Sequence, residues 1–244
     1  THTHTHIHTH TYTKFLPHKL TVQHQYLPKP IEKDVPPTII SEMRAFEHVD
    51  EITKMGVRTV GSIANEIHCP EYIEKAIREA SSGSPRENLI DIDIQHVSGS
   101  FHLDFIGGFA NAYEDVTNVV VRLRTSRSQD DSRTSILLNS HFDSALGTVA
   151  ASDDVVQVAI MIEVFRALVW AEDQDLPTDV IFLFNGAEEA ILQAAHGFTT
   201  KHRWAQSVQA VINLEAAGSG GREVLFQTGP GNTWISESYA AAVP

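Results

Sequence analysis

From Thr38 onward, apolar residues recur at helical spacing. In TIISEMRAFEHVDEITKM, Ile39, Met43, Phe46, Val49, Ile52 and Met55 share one stripe, and Gly56 follows, which predicts an amphipathic helix ending there. PEYIEKAIREA, opened by Pro70 at a first-turn position, predicts a second. The period then drops to two. LIDIDIQHV (89–97) sets Ile90, Ile92 and Ile94 against Asp91, Asp93 and Gln95, the signature of a half-buried strand. SFHLDFIG and TNVVVRLR read as two further strands, and TSRSQDDSRT (125–134) as a polar loop.

Beyond that loop, short continuous apolar runs alternate with helical stretches. SILLNS precedes a buried helix over 153–170, DVIFLFNG precedes a helical stretch from Glu188 to about His202, and VQAVINL runs into EAAGSGG. Apolar strands alternating with helices predict an α/β fold: a mixed, mainly parallel sheet covered by helices on both faces. Residues 37–244 are expected to form that domain. Residues 1–36 hold Pro17, Pro28, Pro30 and Pro36, show little periodicity and are expected to be disordered. The alternating Thr-His tract at their start reads as a translated CA dinucleotide repeat rather than a metal-binding tract.

Composition narrows the function classes. With 42% hydrophobic and 20% charged residues, 244 residues suffice for one sizeable globular domain or two small ones. A formal net charge of -13 argues against nucleic acid and against anionic membrane surfaces. No apolar run reaches the ~18 residues of a membrane span; VVQVAIMIEVFRALVW is interrupted by Gln157, Glu163 and Arg166. The one cysteine, Cys69, cannot form an internal disulfide.

The candidate chemistry lies where the predicted strands end, which in such sheets is where ligands bind. His141 and Asp143 follow the first strand of the alternating unit, Asp153 and Asp154 open the next helix, Glu188 and Glu189 follow the second strand, and Glu215 follows the third. Two adjacent carboxylates at the end of an apolar strand raise each other's pKa unless a positive charge sits beside them. One His among several carboxylates suits zinc or a related divalent ion. Each acid alone has a plain structural reading, as a helix cap, a dipole match or a surface loop, but their joint placement favours a metal site. No G-x-S-x-G motif offers a serine nucleophile. Gly218–Gly221 lack the spacing of a phosphate loop.

The ordered segments NSHFDS, ASDD, FLFNGAEEAILQAAHGF and INLEAAGSGGREVLFQTGP, with GVRTVGSIANE and TNVVVRL upstream, resemble the M28 family of zinc aminopeptidases and its endoplasmic reticulum metallopeptidase group. The resemblance runs from about Thr38 to the chain end and implies a zinc-exopeptidase fold acting on peptide or protein substrates. It implies that His141, Asp153 and Glu215 hold one zinc, and that Asp153 bridges to a second held also by Glu189. Glu188 becomes the general base and Asp143 orients His141, while Asp154 is left as a helix cap. The implied location is the endoplasmic reticulum membrane with the domain luminal, anchored by segments outside this chain. Val149-Ala150 replace a usual Pro-Gly, and Ile191 and Gln193 stand where many relatives carry glycine. The family's last ligand, a His, is expected beyond Pro244. The chain therefore reads as a fragment truncated at its C-terminus, expected to be poorly folded or inactive alone. Two other readings stay open: a glutaminyl-cyclase-like acyltransferase with a single zinc, and a metal-free peptidase-like binding domain.

Overall fold

The computed structural model describes residues 29–104, 107–125, 134–171, 176–216 and 223–242. The Thr-His tract, most of the polar loop over 125–134 and residues 218–221 lie outside them. Pro30–Gly218 form one compact unit.

Helix α1 spans Glu42–Lys54. Ser41 caps it, its Oγ accepting from the Arg44 N–H at 3.2 Å, and Gly56 beyond its end adopts φ 83°. The expected stripe is only partly its buried face. Ala45 and Ile52 are buried, with Val49 and Met55 packed beside the core, whereas Ile39 precedes the helix and Met43 and Phe46 face solvent. The cause is an anchor that hydropathy patterns do not encode. Fully buried Glu163 accepts from the Ser41 N–H (3.0 Å) and the Arg44 Nε (3.1 Å), and so sets the rotation of the helix. Residues 30–36 are also bonded to α1: Arg44 donates to the Lys33 and Val35 carbonyls, and Glu42 accepts from the Ile31 N–H.

A wide turn over Ala64–His68 leads into α2, Cys69–Ser81, which buries Cys69, Ile73, Ala76, Ile77 and Ala80 along one stripe. Two long strands follow, β1 (Ile90–Leu103) and β2 (Phe109–Leu123), paired antiparallel with a register shift between Val97 and Gly99. Three strands were expected across this region. The bulge lets LIDIDIQHV and SFHL continue as one strand, and Phe109–Val116, which the pattern did not mark, pairs against its second half.

The remaining elements are β3 (Ser135–His141), α3 (Val156–Trp170), β4 (Asp179–Asn185), α4 (Gln193–Lys201) and β5 (Val208–Asn213). The sheet order is β1-β2-β4-β3-β5, with β4, β3 and β5 mutually parallel. Helices α1, α2 and α3 pack on one face, where Phe165 and Met161 meet Val119, Phe182 and Phe184; Phe198 and Trp204 cover Val120, Ile181 and Leu183 on the other. The mixed sheet with helices on both faces is as expected. Among the described residues no helix is long and apolar enough to cross a membrane. In the other unit, α5 spans Thr233–Ala242.

Candidate metal centre

The register of the parallel strands brings the candidate residues together. His141, the last residue of β3, lies opposite Asn185, the last residue of β4, while Asn139 pairs with Asn213 at the end of β5. All three strands therefore finish at one edge, with β3 in the middle. The loops after β4 and β5 flank His141 from either side.

The His141 ring is buried and has two distinct sides. Its Nδ1 lies 3.2 Å from the Asp143 carbonyl oxygen and 3.3 Å from Asp143 Oδ1. A proton on Nδ1 is donated there, which leaves Nε2 to face the acids. Asp153 Oδ1 lies 3.1 Å from Nε2, Glu215 Oε1 3.6 Å and Glu188 Oε2 3.9 Å. His141, Asp153 and Glu215 each present a ligand atom within 4.8 Å of the others, a spacing that fits one divalent ion, and their one-nitrogen, two-oxygen donor set suits zinc.

Electrostatics fit the same reading. Burial would lower the His141 pKa, but the carboxylates of Asp143 and Glu215 outweigh it and push it up to about 11. A divalent ion binding at Nε2 would compete with a proton there. Burial likewise works to raise the Glu215 pKa, yet hydrogen bonding with His141 and from the Ala216 N–H lowers it. Glu188 is raised, first by burial and then by the charges of Glu215, Asp143 and Glu189.

Asp143 holds more than the imidazole. Its buried carboxylate accepts from the Glu188 N–H through Oδ1 and from the Glu189 N–H through Oδ2, both at 3.0 Å. That clamp explains why the Glu-Glu pair does not open a helix as expected. Residues 188–192 form a turn with Ile191 and Leu192 at φ 66° and 60°, and α4 begins only at Gln193. Gly186 permits the chain to leave β4 here, because a Cβ would lie 2.4 Å from the Thr117 carbonyl oxygen and 2.5 Å from the Phe142 ring.

Glu189, assigned to a second zinc and not to this cluster, accepts through Oε1 from the Ala145 N–H at 3.1 Å. One expectation changes: Asp154 is not a helix cap. It is fully buried, its Oδ2 accepts from the His141 N–H at 3.3 Å, and burial raises its carboxyl pKa to about 8. The preceding turn, Ala151–Val155, carries non-helical dihedrals at Asp153 and Asp154, so α3 starts three residues later than expected and leaves Asp154 facing inward. Hydropathy missed Asn65 and Asn111 as well. Asn65 Nδ2 donates to the Gly186 carbonyl at 2.7 Å, and Asn111 Nδ2 to the Ala190 carbonyl at 2.9 Å. Both pin the loop that carries the two glutamates. Their only sequence signal was a polar residue in an otherwise packed segment.

The model of Peptidase family M28 matches residues 118–244, a little over half of the chain. The chain belongs to that family. It is 46% identical over 199 residues to the mouse endoplasmic reticulum metallopeptidase 1, an alignment that covers 82% of this chain and 22% of that protein. The chain thus spans about a fifth of the length of the M28 relative it matches. Its fold resembles that of a zinc aminopeptidase from Bacillus subtilis (TM-score 0.56, 11% identity, 74% of this chain and 70% of that one). It also resembles a glutaminyl cyclase from Porphyromonas gingivalis (TM-score 0.55, 17% identity, 83% of this chain and 67% of that one). At these identities the likeness is one of fold.

Proposed function

We propose that this chain carries the catalytic core of a zinc-dependent exopeptidase of the aminopeptidase type, which hydrolyses peptide bonds with a metal-activated water. The observation that carries the reading is the convergence of Asp153, Glu215 and Glu188 on one nitrogen of His141 while Asp143 holds the other. In this reading His141, Asp153 and Glu215 hold a zinc ion. Zinc, when bound, supplies the Lewis acid that polarises the scissile carbonyl and activates water. Asp143 keeps the Nδ1 proton in place, so that Nε2 stays aimed at the metal position. Glu188 takes the water's proton on its carboxylate and passes it to the leaving amine; its raised pKa suits a base that must also act as an acid near neutral pH. Asp153 and Glu189 would hold a second zinc; besides the Oε1 that accepts from the Ala145 N–H, the Glu189 carboxylate has a second oxygen, Oε2, to offer an ion. The proposed substrates are peptides or proteins, and the proposed location is the endoplasmic reticulum membrane with the domain luminal; the name of the mouse endoplasmic reticulum metallopeptidase supports the compartment and the peptide substrate.

Hydrolysis of aminoacyl amides by the protein expressed from its whole reading frame tests this. Glu188→Gln is expected to lower kcat by about 10²- to 10⁴-fold while zinc remains bound. Full activity in that variant overturns the assignment.

One observation favours a second reading. Among the described residues the group at ligand spacing is His141, Asp153 and Glu215, and Glu189 accepts from the Ala145 N–H instead, as a single-zinc glutaminyl-cyclase-like acyltransferase would require. One zinc per chain together with cyclisation of N-terminal glutamine peptides would support it; two zincs with amide hydrolysis would exclude it.

A further inference from the structure

We infer that Arg58, which the proposed mechanism does not use, is a positioning residue that aims the loop carrying His141 and Asp143 at the metal; this rests on the zinc reading above. Its side chain is fully buried, and among the described residues none of its hydrogen bonds goes to a carboxylate. Each of its three guanidinium nitrogens meets a main-chain carbonyl. Nε donates to Phe142 at 2.8 Å, between His141 and Asp143. Nη2 donates to Val149 at 2.9 Å, just before the turn that carries Asp153, and Nη1 reaches Gly56 at 2.7 Å and Ile52 at 3.2 Å at the end of α1. The backbone doubles the clamp: the Arg58 N–H donates to Ser144 Oγ and the Ser144 N–H to the Arg58 carbonyl, both at 2.9 Å.

A planar fork with five donors spans both ends of the 142–149 loop at once, which the point charge of a lysine cannot do. Burial lowers the guanidinium's pKa, and the nearby Asp143 carboxylate works to raise it again. Arg58 thus also places positive charge near the carboxylate that holds Glu188, Glu189 and His141. A purely structural tie would need only the end of α1. Two of the four carbonyls, and both bonds with Ser144, belong instead to the ligand loop.

The test measures zinc affinity by chelator competition, and amide exchange over residues 142–149 in the metal-free protein, for wild type, Arg58→Lys, Ser144→Ala and the core control Ile77→Val. Arg58→Lys is expected to weaken zinc binding about tenfold or more and to speed exchange across 142–149. Ile77→Val is expected to lower Tm without moving either readout. An Arg58→Lys protein that folds, binds zinc as wild type does and keeps wild-type exchange overturns the inference. If that variant does not fold, Ser144→Ala decides: several-fold weaker zinc binding supports the clamp, and wild-type affinity overturns it. Failure of wild type to bind zinc defeats the functional reading instead, and the exchange data then judge Arg58 alone.

Discussion

At the scale of single residues, the backbone around the site holds three conformations that L side chains adopt reluctantly. Ala150, Ile191 and Leu192 all have φ between 52° and 66°. Ala150 and Ile191 stand in the two segments where the resemblance led us to expect glycine. The left-handed region costs an L residue roughly 1–2 kcal/mol, and more for a β-branched one. Glycine gives back about 0.5–1 kcal/mol of that through its freer unfolded chain. Ile191 is 38% exposed, so truncation also forfeits part of its burial and offsets the relief of strain. Ile191→Gly is therefore expected to leave stability within about 1 kcal/mol of wild type, read as a denaturation midpoint little moved at unchanged slope; a loss of more than about 2 kcal/mol would show that packing of the Ile191 side chain outweighs its backbone strain. Residue types at this scale were legible in the sequence. A histidine and several acids at strand ends pointed to a metal site, and the resemblance gave Asp143 the task of orienting His141, whose Nδ1 lies 3.2 Å from the Asp143 carbonyl oxygen and 3.3 Å from its Oδ1. The inward turn of Asp154 was not legible, because it depends on the dihedrals of the turn before α3 and not on hydropathy.

At the scale of elements, the clearest example is the tie between α1 and α3. Glu163 sits in the middle of an apolar helix, fully buried, where it receives Arg44, Arg166 and the Ser41 N–H. The sequence showed Glu163 only as an interruption of a hydrophobic run. Two of its three partners, Arg44 and Ser41, lie 119 and 122 residues away in the chain, so no local pattern could name them. Removing one member of a buried pair leaves its partners' charge uncompensated. Glu163→Ala is expected to cost about 3–5 kcal/mol and to loosen α1 first, visible as faster amide exchange over residues 42–54. A loss below 1 kcal/mol would mean that Arg44 and Arg166 find other acceptors at no cost. Close packing imposes a similar non-local constraint at Gly197, where a Cβ would come within 2.4 Å of Val97 Cγ1 across the α4–β1 contact. The HGF segment that marked the family resemblance thus has a packing reason for its glycine.

At the scale of the whole molecule, the chain carries a net charge of -13 and draws several carboxylates to one edge of its sheet. A divalent ion that binds there binds the folded state alone, because the ligands come from three separate loops. Zinc at 100 times its dissociation constant is expected to add about 2.7 kcal/mol of stability, read as a rise in Tm that chelation reverses. His141→Asn should abolish that rise. A rise that survives the substitution would place the ion elsewhere on the acidic surface.

The sequence by itself determined the class of the fold, the alternation of strands and helices beyond residue 134, and the identity of the residues at each strand end. These follow from short-range periodicity and from the chemistry of side chains, which neighbours along the chain express. The sheet order was left to the tertiary structure, and with it the central position of β3 that lets His141 meet Glu188 on one side and Glu215 on the other. So were the merger of two expected strands into β1, the outward face of Phe46, the engagement of Glu189 by the Ala145 N–H, and the clamp built on Arg58. Each of these depends on hydrogen bonds or packing between residues far apart in the chain. Such contacts exist only once the strands have paired.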